Sequence, residues 1–142
     1  MATQMASVDT LLGVPADELG NPLALAQSIE IGLPVAAVDR MAQAVAPGDA
    51  RFKFRLVPRA TLERRKKTKR LSSEEGNRLA RLAKVYGFAR SIYRDDRKAR
   101  EFLTRPHPML ENKTPLDVSL ATGPGADAVV NILGRAAYGG GV

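Results

Sequence analysis

One amphipathic segment, residues 72–93, constrains the fold of this chain more than any other. Ser72 stands three residues before Glu75, a spacing typical of a capping box, in which each side chain accepts a hydrogen bond from the other residue's backbone N–H at the start of a helix. Apolar residues then recur at intervals of three and four, which places them on one helical face; they are Leu79, Leu82, Tyr86, Ala89 and Tyr93. The segment therefore predicts a long helix whose apolar stripe other elements must cover.

Signals for helix starts recur on both sides of this segment. Pro34, Pro58 and Pro115 each suit a first helical position, because a proline there loses no helical hydrogen bond. Thr114 and the acidic pair at 95–96 suit N-caps. The spacing of these signals predicts several short helices around the long one.

Two parts of the chain carry weaker patterns. Phe52 and Phe54 alternate as in a strand, but the segment is short, and among helical neighbours we interpret it as a short helix. Residues 1–30 are predicted to form an N-terminal arm or a loosely packed helix, with a short helix following Pro15. The whole chain is therefore predicted to be all-α.

The residue types present exclude several kinds of chemistry. The chain has no cysteine, which rules out disulfides, thiolate catalysis and cysteine-ligated zinc. Its one histidine, His107, stands between two prolines and is interpreted as a loop residue, so we predict no metal, no cofactor and no enzymatic activity. Because the first residues lack the basic and apolar regions of a signal peptide, and no apolar run is long enough for a membrane helix, a cytoplasmic location is predicted.

Positive charge is concentrated in residues 51–70. This stretch holds ten basic residues and one acidic residue, Glu63, whereas residues 1–50 hold one basic residue against six acidic ones. Such a block produces a local positive potential that attracts phosphate groups. A solvated, cation-rich helix face is the alternative interpretation.

The same block has the features of a recognition helix. In a helix-turn-helix module the beginning of the second helix enters the major groove of DNA, and flanking cations bind phosphates. If Pro58 opens that helix, Arg59 and Thr61 are placed to contact base edges. The residues predicted to bind phosphates are Arg64, Arg65 and Lys66.

Four motifs, in order along the chain, resemble the Xre/MbcA/ParS-type antitoxins of bacterial toxin–antitoxin systems. They are "LSSEEGNRLARL" after a threonine and a basic run, an acidic-capped "AREFL" that leads to a proline loop, the "TPL" of residues 114–116, and "LGRAAYG" at residues 133–139. The similarity extends from about residue 31 to residue 142. The order and spacing of the motifs make the resemblance far more specific than any one of them.

The resemblance implies a helical protein in two parts. Residues 31–93 are expected to form a helix-turn-helix-like domain that dimerises and binds the promoter of its own operon, and residues 94–142 a small toxin-binding domain. The expected partner is a RES-type toxin, an enzyme that consumes NAD, whose active-site cleft the C-terminal region covers. The resemblance also implies a homodimer within a higher-order toxin–antitoxin complex.

Matching the family's motifs to this chain gives the candidate toxin-binding residues. They are Thr114, Pro115, Leu116, Leu133, Gly134, Arg135, Tyr138 and Gly139. An arginine and a tyrosine suit such a surface, because arginine pairs with anionic groups and tyrosine offers an amphipathic anchor. Two alternatives stay open: these helices serve packing alone, or the chain is a DNA-binding regulator whose second half serves only dimerisation.

Overall fold

The computed structural model describes residues 8–14 and 21–138, and every named element in them is helical. The helices are α1 (Val8–Leu12), α2 (Pro22–Ile31), α3 (Ala36–Val45), α4 (Lys53–Leu56), α5 (Arg59–Thr68), α6 (Ser73–Tyr93), α7 (Asp96–Thr104), α8 (Pro115–Ala121) and α9 (Gly123–Tyr138). A single 3-10 turn, Pro108–Leu110, lies between α7 and α8. The prediction of an all-α chain is confirmed. Within the described ranges no helix is both long and apolar enough to cross a membrane.

Contacts divide the chain into two compact units, Met1–Ala83 and Lys84–Val142. The division falls inside α6, so the first half of this helix belongs to one unit and the second half to the other. The predicted boundary between residues 93 and 94 stays a prediction.

The core of the first unit contains one face of α3. Val38, Met41 and Val45 are fully or almost fully buried. Pro34, in contrast, is not the first residue of that helix, which begins at Ala36. It lies in an isolated antiparallel bridge with Arg70, and the backbone N–H of Leu71 donates to the carbonyl oxygen of Leu33 over 2.8 Å. This pairing holds the residues before α3 extended.

α2 is a helix that the sequence pattern does not predict as a distinct element. Asn21 caps it by accepting a hydrogen bond from the backbone N–H of Ala24, and Pro22 occupies its first turn. It has no continuous apolar stripe, because Leu23 and Ile31 are each 69% exposed and only Ile29 is buried. The short helix predicted after Pro15 begins outside the described residues.

Gly32 ends α2 with a backbone that other residues rarely adopt. Its φ of +115° lies in the region that favours glycine, and a Cβ atom there would stand 3.0 Å from the Cβ of Arg70 and from the carbonyl oxygen of Leu71. The absence of a side chain therefore lets the chain leave α2 while passing close to residues 70–71.

The second unit packs α8 against α9. Thr122 lies between the two helices, and its hydroxyl accepts a hydrogen bond from the N–H of Gly125. Val129, Ile132 and Leu133 are buried along α9, as the helical spacing predicts. A Cβ atom on Gly125 would collide with the carbonyl oxygen of Val118, so glycine is needed where the two helices approach.

Candidate DNA-binding and toxin-binding surfaces

α5 carries the basic run on a helix that is anchored by one apolar side chain. Pro58 is its N-cap and Leu62 is buried, whereas Arg59, Arg64 and Lys66 are exposed. Thr61 is half-buried. The start of this helix at Arg59 agrees with the position predicted from Pro58.

Arg59 is held in place by an aromatic ring. Its guanidinium carbon lies 4.2 Å from the centroid of the Phe54 ring, within the range of a cation–π contact. Lys53 lies on the same ring, 5.4 Å from the centroid. The contact orients a cation at the amino end of α5, where the helix-turn-helix hypothesis places a base-reading side chain.

Arg65 forms a bidentate ion pair with Glu75. Its Nε donates to Oε1 over 2.9 Å and its Nη2 donates to Oε2 over 3.2 Å. Glu75 also accepts the backbone N–H of Ser72 over 2.8 Å, while the Ser72 hydroxyl accepts the N–H of Glu75 over 3.2 Å, so the predicted capping box is present. The pair therefore joins the last turn of α5 to the first turn of α6.

The two groups shift each other's pKa. Burial acts to raise the pKa of Glu75, but the hydrogen bonds from Arg65 and Ser72 together with the arginine's charge outweigh it, and the pKa is lowered. The hydrogen bond to Glu75 and that carboxylate's charge raise the pKa of Arg65. Both groups are thus charged at neutral pH, and a phosphate would compete with Glu75 for this guanidinium.

The other predicted phosphate-binding residues differ in whether a carboxylate of the chain pairs with them. Lys66 pairs with Glu63 over 3.2 Å, one turn away, with both side chains at least half exposed. Arg64 is exposed, and it has no ion-pair partner in the part of the chain that the structure describes. The proposed DNA-contact roles of all five residues stay predictions; Arg59 and Arg64 are the two charged ones with no carboxylate partner among the described residues.

The "TPL" residues start α8. The hydroxyl of Thr114 accepts the backbone N–H of Asp117 over 3.1 Å, Pro115 occupies the first turn, and Leu116 is 3% exposed. Each residue therefore has a structural reason for its position, and toxin binding by these residues stays a prediction.

The final motif divides into inward and outward positions. Leu133 is fully buried, whereas Arg135 is exposed. Gly134 is half-buried, and a Cβ atom there would meet no described atom within 4 Å. Tyr138 is the last residue of α9, and Gly139 lies outside the described residues. Among the candidate residues of this motif whose burial the structure describes, Gly134 and Arg135 are therefore the ones that are not buried.

No group of three or more histidine, cysteine, aspartate or glutamate side chains that could hold a metal ion occurs among residues 8–14 and 21–138. His107, interpreted as a loop residue, follows α7 and caps the 3-10 turn, since its Nδ1 accepts the N–H of Met109 over 3.1 Å.

Two family models match the chain in succession and together cover most of it. The antitoxin Xre-like helix-turn-helix domain matches residues 24–84, and the antitoxin Xre/MbcA/ParS C-terminal toxin-binding domain matches residues 88–139. A search of curated proteins finds no match.

The fold and the two matched domains define a class: all-helical proteins that join a helix-turn-helix domain to a toxin-binding domain. The chain belongs to the Xre/MbcA/ParS-type antitoxins, which confirms the family that its motifs indicate. Neither matched model describes an enzyme. The helix-turn-helix match begins within α2, which accounts for that helix as part of the domain.

Proposed function

We propose that this antitoxin neutralises a RES-type, NAD-degrading toxin in the cytoplasm by laying the end of α9 over the toxin's active-site cleft. We also propose that it represses its own operon by binding promoter DNA as a homodimer. The single observation that carries the first proposal is Gly134, a glycine inside a helix that the chain's own packing does not require.

The energetic argument compares glycine with alanine. A glycine inside a helix is less favourable than alanine by about 0.8–1 kcal/mol. At Gly125 the crowding against α8 explains the glycine, but around Gly134 the space is open. A surface without a Cβ, next to the exposed Arg135, allows a partner's backbone to approach closely while the guanidinium pairs with an acidic group.

The experiment measures NAD consumption by the purified toxin with and without the full-length antitoxin. Gly134→Leu should abolish inhibition while leaving the fold intact, because the new side chain enters open space on this chain and blocks the approach of the partner. Gln43→Leu, which adds the same exposed side chain on α3 outside the matched toxin-binding domain, is the matched control and should inhibit normally. Inhibition by Gly134→Leu equal to that of the unmodified protein would contradict the cleft-covering proposal.

The autoregulation proposal is supported by the matched helix-turn-helix domain and by the exposed cations of α5. Binding to a labelled fragment of the operon's promoter should be stronger than binding to a scrambled fragment of equal length. Light scattering of the free protein tests the homodimer, and scattering of the toxin mixture tests the larger complex. A chain that binds the promoter but neither binds nor inhibits any RES-type toxin would instead be a regulator whose second half serves dimerisation.

A further inference from the structure

A groove of about 410 Å³ opens on the second unit; its lining comes from the end of α6, from α7 and from the proline loop that follows, and includes none of the candidate toxin-binding residues. Three rings line it in a row: those of Tyr93 and Phe102 have centroids 6.0 Å apart, and those of Phe102 and His107 have centroids 6.2 Å apart. All three side chains are half-buried. The groove therefore presents aromatic surface that the unit's own core does not cover.

Phe102 illustrates how this surface arises. Its neighbours on α7, Ala99 and Leu103, are fully buried and supply the inward face of the helix. Phe102 follows the same helical spacing but lies at the edge of that face, between the rings of Tyr93 and His107. Burial raises the pKa of Tyr93, so its hydroxyl remains protonated and can donate a hydrogen bond to a ligand at neutral pH.

The rim of the groove carries more positive than negative charge. Lys98 is exposed and lacks an ion-pair partner among the described residues, and Arg105 has a side chain that is 74% exposed. Glu101 is the one carboxylate in the lining; it lies 3.9 Å from Arg105 and 4.0 Å from Arg97, so two arginines share its charge. An acidic ligand is therefore favoured at the rim, while the rings favour an apolar or aromatic one at the floor.

We propose that this groove is a second docking site for the toxin, which inserts one apolar or aromatic side chain between the rings and pairs flanking carboxylates with Lys98 and Arg105. The inference rests on the proposed function, because it takes the toxin as the partner. Every lining residue lies within the matched toxin-binding domain, residues 88–139. A pocket of this size, floored by rings and rimmed by cations, has the composition of an interface hot spot.

Charge reversal tests the rim. Lys98→Glu combined with Arg105→Glu should weaken binding of the full-length antitoxin to a catalytically inactive form of the toxin by about tenfold, since each reversal replaces an attraction with a repulsion. The matched control is Arg51→Glu combined with Lys69→Glu, which makes the same change in net charge at exposed positions outside the matched toxin-binding domain and should bind within about twofold of the unmodified protein. Equal weakening by the two pairs would overturn the inference, because only overall charge would then matter.

Photo-crosslinking tests the floor. With a benzophenone amino acid in place of Phe102, the full-length antitoxin should crosslink to a toxin segment that contains an exposed apolar residue beside carboxylates. Crosslinks only to a second copy of this chain, or none to the toxin, would overturn the inference. Gly134→Leu distinguishes the two proposals. If Gly134→Leu abolishes toxin binding while the groove variants bind normally, the groove is not a docking site and the cleft-covering proposal stands. A toxin that binds no version of the chain refutes both proposals.

Discussion

Replacing Glu75 should destabilise the first unit more than any other substitution of an acidic residue in α6. Its carboxylate accepts three hydrogen bonds, two from Arg65 and one from the backbone N–H of Ser72, and its side chain is 12% exposed. Glu74, its neighbour in the same first turn, is exposed. The two residues therefore carry the same charge in the same helical turn and differ in their contacts.

The magnitude follows from the number of hydrogen bonds that are lost. A hydrogen bond to a charged group contributes about 1.5 kcal/mol net, and bonds within one cluster are not additive, so Glu75→Ala should cost about 3 kcal/mol. Glu75→Gln keeps an oxygen for the N–H of Ser72 and removes the charge, so it should cost about half as much. Glu74→Gln removes only a favourable charge at the helix start and should cost about 0.5 kcal/mol.

The pH dependence gives a second, independent measurement. Because the pKa of Glu75 in the folded protein lies below its ordinary value of 4.5, the carboxylate's contribution to stability is complete above that pH. The contribution is lost as the pH falls through the lowered pKa. The difference in unfolding free energy between the unmodified protein and Glu75→Gln should therefore be largest at neutral pH and shrink in acid.

Urea unfolding followed by circular dichroism at neutral and acidic pH measures these differences. If Glu75→Gln unfolds at the same free energy as Glu74→Gln at neutral pH, the ion pair contributes nothing measurable. If the gap between Glu75→Gln and the unmodified protein does not narrow in acid, the lowered pKa is wrong.

Further substitutions test three other parts of the molecule. Arg64→Ala should reduce the slope of log affinity for promoter DNA against log salt by about 0.9, measured by fluorescence anisotropy, whereas an unchanged slope would exclude a phosphate contact. Thr114→Ala should lower the unfolding free energy by about 1 kcal/mol through loss of the α8 cap, and Thr114→Ser should retain it. Gly125→Ala should lower the unfolding free energy by about 1–3 kcal/mol, because the new methyl group collides with α8. Gly134→Ala should raise the unfolding free energy by about 0.8 kcal/mol. Equal effects of the two substitutions in thermal unfolding would contradict the packing of α9.

Helix starts are predictable from the sequence because their chemistry is local. The capping box at Ser72 and Glu75 and the N-cap at Thr114 each involve residues three apart, and both are present as predicted. The pairing of Arg65 with Glu75 is not predictable in the same way, because it depends on how the chain turns between α5 and α6. Two adjacent carboxylates, Glu74 and Glu75, follow the basic run, and the sequence alone does not show which of them an arginine of α5 pairs with.

The groove and α2 escape prediction for related reasons. Phe102 has the spacing of a core residue, and only the packing of its helix decides that its ring lies at an edge. The apolar residues of α2 do not form the single stripe that identifies an amphipathic helix: Ile29 is buried, whereas Leu23 and Ile31 are exposed. Spacing along a chain therefore identifies the existence of a helical face but not how completely other helices cover it.

The number of cations in residues 51–70 that contact DNA phosphates can be measured. Arg65 pairs with Glu75, Lys53 pairs with Asp39 over 3.5 Å, and Nη1 of Arg70 donates to the carbonyl oxygen of Gly32 over 3.0 Å. Three of the ten cations in the block therefore have partners within the fold, and we expect them to contribute less to DNA binding than the others.

Four exposed cations lie on α5 itself, and they are Arg59, Arg64, Lys66 and Lys67. Outside this helix, and apart from Arg70, the exposed cations of the block are Arg51, Arg55 and Lys69. Four contacts at about 0.9 each predict a salt slope of about 3.6 per bound protomer, whereas ten contacts would give about 9. Titrating promoter DNA over a range of salt concentrations, with the number of bound protomers fixed by light scattering, distinguishes the two values. A slope near the larger value would mean that Lys53, Arg65 and Arg70 leave their partners on DNA, because the other seven cations of the block supply a slope of only about 6.3.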